Sequence, residues 1–415
     1  MAQKNREPKL AVNKKDAMEH ALLTIRRAWA GEVKDFEKWG GYDLDPKPLT
    51  IYDLNGQVLF YEFDVMNGNK VVGSTKTAAS KTIGTPVITM EFGERSWDFK
   101  KASKEAEKKV KKLFPKADIT ESELVCYSYP KIGVRVYFDT TKSKEENLIF
   151  DISTLDLIER YASDELDDFA CWSFYQEVVE PEIEKRENAF KLAEKELKAV
   201  KSKTAKVLGR GISNRKLDDI KSALIPKPTA TVLQPVNITP IPWYSSKTIR
   251  FSPRCNSHEC FELYAQKTNV YCAVATGQMI LDFYRYYYTQ DQIATAMGTG
   301  AGGTSNTGQV NGYESLSKNC LNATYDSTAN WYEARNEINA NRPLKSGIPH
   351  HARACAGWKK QNIYLVGQTP KKWLKIYDPW PWNANICNGG KVYWESWDAV
   401  NHTNFIYLRH RSQPC

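Results

Sequence analysis

Residues 201 to 235, "KSKTAKVLGRGISNRKLDDIKSALIPKPTATVLQP", break the chain in two. The stretch is rich in Lys, Pro and Thr. Proline lacks a backbone donor and cannot continue a helix, so the segment reads as a linker that a protease can reach. The 415 residues also exceed the roughly 250 to 300 at which a single core stops growing. At least two cores are expected, one in 1–200 and one in 236–415.

The first part is read as two helix-plus-sheet units, 1–97 and 98–180, followed by a charged helix. In "KDAMEHALLTIRRAWAGEVKDFEKW", residues 15 to 39, Ala17, Leu22, Ile25, Ala28 and Trp29 recur at a helical period. After it, β-branched and aromatic runs are punctuated by Asn55-Gly56 and Asn67-Gly68, which favour hairpin turns and predict an antiparallel meander. The theme repeats with a helix at about 98 to 114 and strands in "LVCYSYPKIGVRVYF" and "NLIFDIST". Residues 181 to 203 then set Ile183, Phe190 and Leu197 seven apart among Glu and Lys, a helix with one narrow apolar seam.

Charge is unevenly placed. Residues 1 to 200 hold 32 Lys+Arg and 36 Asp+Glu, whereas the whole chain has a formal net charge of +9. The basic excess therefore lies after residue 200, so the two parts are complementary. No RNP, zinc-finger or helix-turn-helix pattern organises the basic residues, and nucleic acid is not an expected partner. No apolar run reaches the ~18 residues of a membrane helix. The start, "MAQKNREPKLAVNKKD", lacks a signal-peptide core, so the chain is expected to be cytosolic or to have lost a leader.

The nine cysteines bear on that choice. With Cys272 set aside, Cys126 and Cys171 remain in the first part and Cys255, Cys260, Cys320, Cys355, Cys387 and Cys415 in the second. Both counts are even, as a disulfide inventory would leave them, which favours export to a secreted or envelope location. Their connectivity does not follow from sequence. Cys272 opens an apolar segment of helical length, where unpaired amides and the helix dipole favour a thiolate. A thiolate needs a base and an orienting group. Residues 346 to 381 read as three strands folded back on one another, able to bring His351 to Asp378 across 27 positions.

The spacing of these residues resembles the papain-like cysteine peptidases, in particular the branch of streptopain and the bacteriocin-leader-processing enzymes. That family has a glutamine six residues before its nucleophile, as Gln266 precedes Cys272. It has histidine-alanine with a glycine-aromatic pair six and seven positions later, as in His351, Ala352, Gly357 and Trp358. It has Asn or Asp two positions before Trp, as in Asp378 and Trp380. The Cys-Gly-Ser-Cys-Trp of plant and lysosomal enzymes is absent. The resemblance implies an α+β fold, with a helix bearing the cysteine and an antiparallel sheet bearing histidine and aspartate. It implies Cys272 as nucleophile, His351 as base, Asp378 as its orienting partner, Gln266 with the Cys272 amide at the oxyanion, and Trp380 covering the His351–Asp378 bond. It further implies Gly302, Gly303 and Trp380 at the substrate and no cofactor or metal. The first part resembles a streptopain-type propeptide, an intramolecular inhibitor removed by cutting the linker.

Other readings of the same residues are set beside these. The interval to Gly357 selects His351 over His350 as base. His258 in "CNSHEC" lacks a second cysteine pair at ligand spacing and reads as part of a disulfide-bearing loop. "GTGAGGTSNTG", 298 to 308, follows a helix rather than a strand and is not a nucleotide loop. The expected activity is endopeptidase cleavage of protein or peptide substrates by a secreted zymogen. The alternatives are a transglutaminase or amidase with the same acyl-enzyme chemistry, and an inactive envelope or binding protein.

Overall fold

A computed structural model describes residues 6–141, 143–159, 170–204, 244–362 and 371–411, together with Asp219, Lys221 and Leu224. Most of the expected linker therefore lies outside the described residues. The described chain is mixed α and β, and its strands join in one 16-stranded sheet. None of its helices is long and apolar enough to cross a membrane.

The first part begins with α1 (Lys14–Ala30), capped by Asn13, whose Oδ1 accepts from the Asp16 amide at 2.8 Å. Its buried face carries Ala17, Ala21, Leu22, Ile25 and Ala28. Strands β1 (Asp43–Leu44), β2 (Leu49–Tyr52), β3 (Val58–Asn67), β4 (Lys70–Ala78) and β5 (Val87–Phe92) follow, and β2 to β5 pair antiparallel in sequence order. Gly68 turns β3 into β4 at φ 60°, a region costly for a side chain. Helix α2 (Phe99–Leu113) buries Ala102, Ala106 and Val110, spaced four apart, and leads to β6 (Asp118–Ser128), β7 (Lys131–Asp139), β8 (Glu146–Asp151) and β9 (Leu157–Ile158). Parallel pairing of β2 with β6 joins the two units. Helix α3 (Ile183–Thr204) buries Phe190 and Leu197 of its seam, while Ile183 is only partly buried.

The second part comprises β10 (Tyr244–Thr248), α4 (Cys272–Phe283), α5 (Gln290–Met297), α6 (Asn306–Leu316), β11 (Leu321–Asp326), α7 (Trp331–Asn339), β12 (Leu344–Ile348), β13 (His351–Gln361), β14 (Lys372–Asp378), β15 (Lys391–Ser396) and β16 (Asn404–His410). Strands β12 to β15 pair antiparallel in order, and β15 pairs with β5 of the first part through Tyr393↔Glu91, Trp394↔Met90 and Glu395↔Thr89. The sheet is thus continuous across the two parts. One hydrophobic cluster does the same, gathering Phe36, Trp39 and Met90 with Trp373 and Trp394. Ion pairs add to the junction: Glu196 bonds Arg27 and Lys371, each at 2.6 Å, and Asp35 bonds Lys375 at 2.7 Å.

The cysteines depart from the even inventory. Cys255 and Cys387 form a disulfide and Cys320 is also disulfide-bonded, but Cys126, Cys171, Cys260 and Cys355 are thiols outside any disulfide. Cys126 and Cys171 each sit in an apolar cluster, and burial pushes their thiols up to about 12 and about 11. They fill the core, as small apolar residues do.

Candidate active site

Helix α4 starts at Cys272 and is buried from Cys272 to Asp282. A helix buried on all sides belongs inside a core, and its start is accordingly held by tertiary contacts. Two of these are to one residue. The Ala352 amide donates to Cys272 Sγ at 3.3 Å, and Thr276 Oγ1, one turn further on, donates to the Ala352 carbonyl at 3.2 Å. Cys272 and Thr276 share a helix face, so α4 is latched to the strand position next to His351.

His351 is the first residue of β13. The two-residue turn Pro349-His350 joins β12 to β13 opposite Ile348, with His350 at φ 54°. That turn puts consecutive histidines in different surroundings. The His351 Nε2 lies 2.7 Å from Asp378 Oδ1, whereas the His350 ring lies 6.0 Å from that of Trp172 in the first part. Asp378 ends β14. Its Oδ1 also accepts from the Trp380 amide at 2.9 Å, and its Oδ2 accepts from the Tyr393 hydroxyl at 2.9 Å. Both side chains of the His351–Asp378 pair are 0% exposed.

The protons follow from the partners. Burial pushes Asp378 up, but the attraction and hydrogen bond of His351, with Lys391 and Arg353 nearby, hold it below the ordinary carboxylate value. It is therefore a carboxylate, which accepts only, so His351 Nε2 carries the hydrogen and Nδ1 presents a lone pair. Nδ1 is buried and has no hydrogen-bond partner among the described residues. Burial is also the largest influence on His351 and lowers it to about 4 against the opposing pull of Asp378, so the ring is neutral near pH 7. A neutral imidazole with a bare nitrogen can take a proton.

A cleft of about 420 Å³ opens over these groups. It is lined by Cys272, Ala273, His350, His351, Ala352 and Lys345 of the second part, among others, and by Glu177 of the first. Lys345 Nζ bonds Asn306 Oδ1 at 3.1 Å, placing a buried amine on the lining.

The remaining candidates fall around this centre. Gln266 is fully buried, and its backbone N–H bonds the carbonyl of Pro379, directly after Asp378, at 3.0 Å. Its side-chain amide donates to the Thr268 carbonyl at 2.8 Å. Gly300 and Gly303 exchange backbone hydrogen bonds in a tight turn, with Gly303 at φ 116°. Gly302 and Gly303 do not line the cleft, whereas Thr304 does. Trp380 is not on the lining of this cleft; its indole donates to Asp151 of the first part at 3.2 Å and its ring lies under Lys131. Its amide supports Asp378, so it serves the pair from behind. His258 bonds Asp282, and no cluster of metal-ligating side chains occurs among the described residues.

Thr276, Arg353, Tyr393 and Glu395 were not singled out from the sequence. The spacing of Thr276 four residues after Cys272 was a usable signal; the other three had none before the strand register was known.

Residues 259–402, about a third of the chain, match the family model described as Peptidase_C39 like family, and Gln266, Cys272, His351 and Asp378 all lie inside that stretch. The match supports a cysteine peptidase. Among solved structures, the peptidase domain of Streptococcus ComA, described as a bifunctional ABC transporter involved in a quorum-sensing pathway, aligns at 15% identity with a TM-score of 0.27. That alignment covers 36% of this chain and 99% of that one. No curated protein matches the chain.

Proposed function

We propose that the protein is a cysteine endopeptidase made in a latent form, with residues 1–200 as its intramolecular inhibitor and the 201–235 linker as the place where it is cut. Cys272 attacks a peptide carbonyl and His351 Nδ1 takes the thiol proton, later returning it to the leaving amine. Asp378 holds the ring in the tautomer that leaves Nδ1 bare. Gln266 and the Cys272 amide bind the oxyanion, which for Gln266 requires a second amide N–H beside the one given to Thr268.

The observation that carries this reading is the bare, buried Nδ1 of His351 beside a residue whose amide bonds Cys272 Sγ, with Nε2 committed to Asp378. Latency is supported by burial of Cys272 and His351 with the first part in place, and by Glu177 on the cleft wall. The Cys255–Cys387 disulfide fits an extracellular location.

Incubating the full-length chain under mildly reducing conditions tests the proposal. Cleavage between residues 201 and 235 is expected, identified by N-terminal sequencing of the fragments, and Cys272→Ala should slow it more than roughly a thousandfold. The same cleavage in Cys272→Ala would rule out self-processing. New termini without cross-linked products in a protein substrate would separate hydrolysis from acyl transfer.

A further inference from the structure

Behind Asp378 a chain of buried polar side chains leads away from the cleft. Arg353 lies two residues after His351 on β13, and Tyr393 and Glu395 lie two apart on β15, so strand alternation aims each pair to one face, on either side of β14 and Asp378. Arg353 Nη1 donates to Glu395 Oε2 at 2.7 Å and Nη2 donates to Glu395 Oε1 at 2.9 Å, a two-pronged pair with both side chains 0% exposed. Nη1 also donates to the Tyr393 hydroxyl oxygen at 3.1 Å, and the Tyr393 O–H donates to Asp378 Oδ2 at 2.9 Å. From the first part, the Tyr129 hydroxyl donates to Glu395 Oε2 at 2.7 Å.

The direction of the Tyr393 proton is decided by Arg353. A guanidinium has donors only, so its N–H occupies a lone pair of the hydroxyl oxygen and the hydroxyl hydrogen turns to the remaining acceptor, Asp378 Oδ2. That anchors the second oxygen of a carboxylate whose first is taken by His351 and Trp380. With both oxygens held, the carboxylate cannot rotate about its bond to Cβ, and the imidazole it orients cannot rotate with it.

We propose that Tyr393 and Arg353 are positioning residues of the Asp378–His351 pair, fixing the plane of the Asp378 carboxylate and through it the plane of the His351 ring. The inference rests on the reading of Cys272 as nucleophile and His351 as base. The ionisable groups facing the network are Asp378 and His351 at one end, Lys131 and Lys391 beside them, and Glu395, Tyr129 and His402 at the other. His402 Nε2 lies 4.0 Å from Glu395 Oε1.

The test is the pH dependence of Cys272 alkylation by iodoacetamide in the full-length protein, read by mass spectrometry of the Cys272 peptide and paired with thermal unfolding. The sulfur displaces iodide to form the S–C bond as its proton passes to His351, so the rate reports how readily the neutral ring accepts that proton. The parent should react well below the ordinary thiol range near pH 8.5. Tyr393→Phe, which keeps the ring and loses only the hydroxyl, should react roughly tenfold more slowly at pH 6 and shift the acid limb of the profile upward. Arg353→Lys, which keeps the charge and loses the fork, should fall between the two. A structural role alone would lower the unfolding midpoint and leave the limb in place. A folded Tyr393→Phe with the parent's profile overturns the proposal; should that variant not fold, a folded Arg353→Lys with the parent's profile does so. A parent that reacts as an ordinary thiol overturns the base assignment of His351 itself, a result distinct from any difference between variant and parent.

Discussion

Two buried Arg–Glu pairs, one in each part of the sheet, are built from the same residue types and end differently. In the first part Arg135 Nε donates to Glu123 Oε1 at 2.8 Å, with Tyr137 donating to the same oxygen at 3.0 Å. The other guanidinium nitrogens of Arg135 donate to the carbonyls of Leu54 and Asp53, in the turn that follows β2. In the second part Arg353 pairs with Glu395 just as closely, but its remaining bond goes to Tyr393 and on to Asp378. The first network closes on backbone and holds a turn. The second closes on the carboxylate that bonds the His351 imidazole. Composition and burial do not distinguish them; the last link does.

Replacing either arginine puts this contrast to the test. Arg353→Met leaves the buried Glu395 without its guanidinium partner and should cost about 3–5 kcal/mol in urea unfolding, whereas Arg135→Met leaves Glu123 with Arg6 at 2.6 Å and should cost less. Only Arg353→Met should move the pH limb of Cys272 alkylation. An equal shift from Arg135→Met would erase the distinction.

Histidines on the two sides supply the next effect. His351 in the second part and His20 in the first are lowered by burial to about 4 and about 3, so both are neutral in the fold and take up protons on unfolding below pH 6.5. Their contribution is complete above pH 6.5 and declines as pH falls toward 4 and 3, at up to about 1.4 kcal/mol per pH unit for each histidine. Buried carboxylates such as Asp53 and Asp151, raised by burial, act in the opposite sense and offset part of it. Denaturant unfolding from pH 7 to pH 4 should show a net loss that shrinks in His20→Gln. No change in that variant would place the whole slope in the second part.

The smallest effect belongs to the junction. Burial raises Glu196, yet Lys371 and Arg27 outweigh it and hold the carboxyl at about 2, below its unfolded value of 4.5. Its contribution is present above pH 4.5 and is lost as pH falls from there toward 2. Glu196→Gln should cost about 2 kcal/mol at pH 7 and flatten the pH dependence in that window. A loss that persists at pH 2 would show that packing rather than charge joins the parts there.

Much of this arrangement was legible in the sequence. Apolar spacing marked α1 and α3, and Asn67-Gly68 marked the β3–β4 turn, because helix faces and tight turns are governed by residues within one or two turns of each other. Intervals of a few residues also separated His351 from His350, since a two-residue turn sends consecutive side chains to different places. Trp380 was harder: its link to Asp378 is local, but its indole contact with Asp151 crosses more than two hundred positions. Cysteine parity misled because a buried thiol such as Cys126 looks like half of a disulfide until its neighbours are known.

The sequence on its own determined the order and kind of the elements, the helix start at Cys272 and the strand ends that carry His351 and Asp378, since each depends on short-range sterics, hydrogen bonding and periodicity. Tertiary structure decided that β5 continues the sheet beside β15, that Arg353 rather than Arg135 reaches the acid behind the histidine, and that Glu177 lines the cleft. Those outcomes depend on strand register and on closing long loops, where a shift of one residue moves every side chain to the opposite face and no short stretch of sequence specifies the partner.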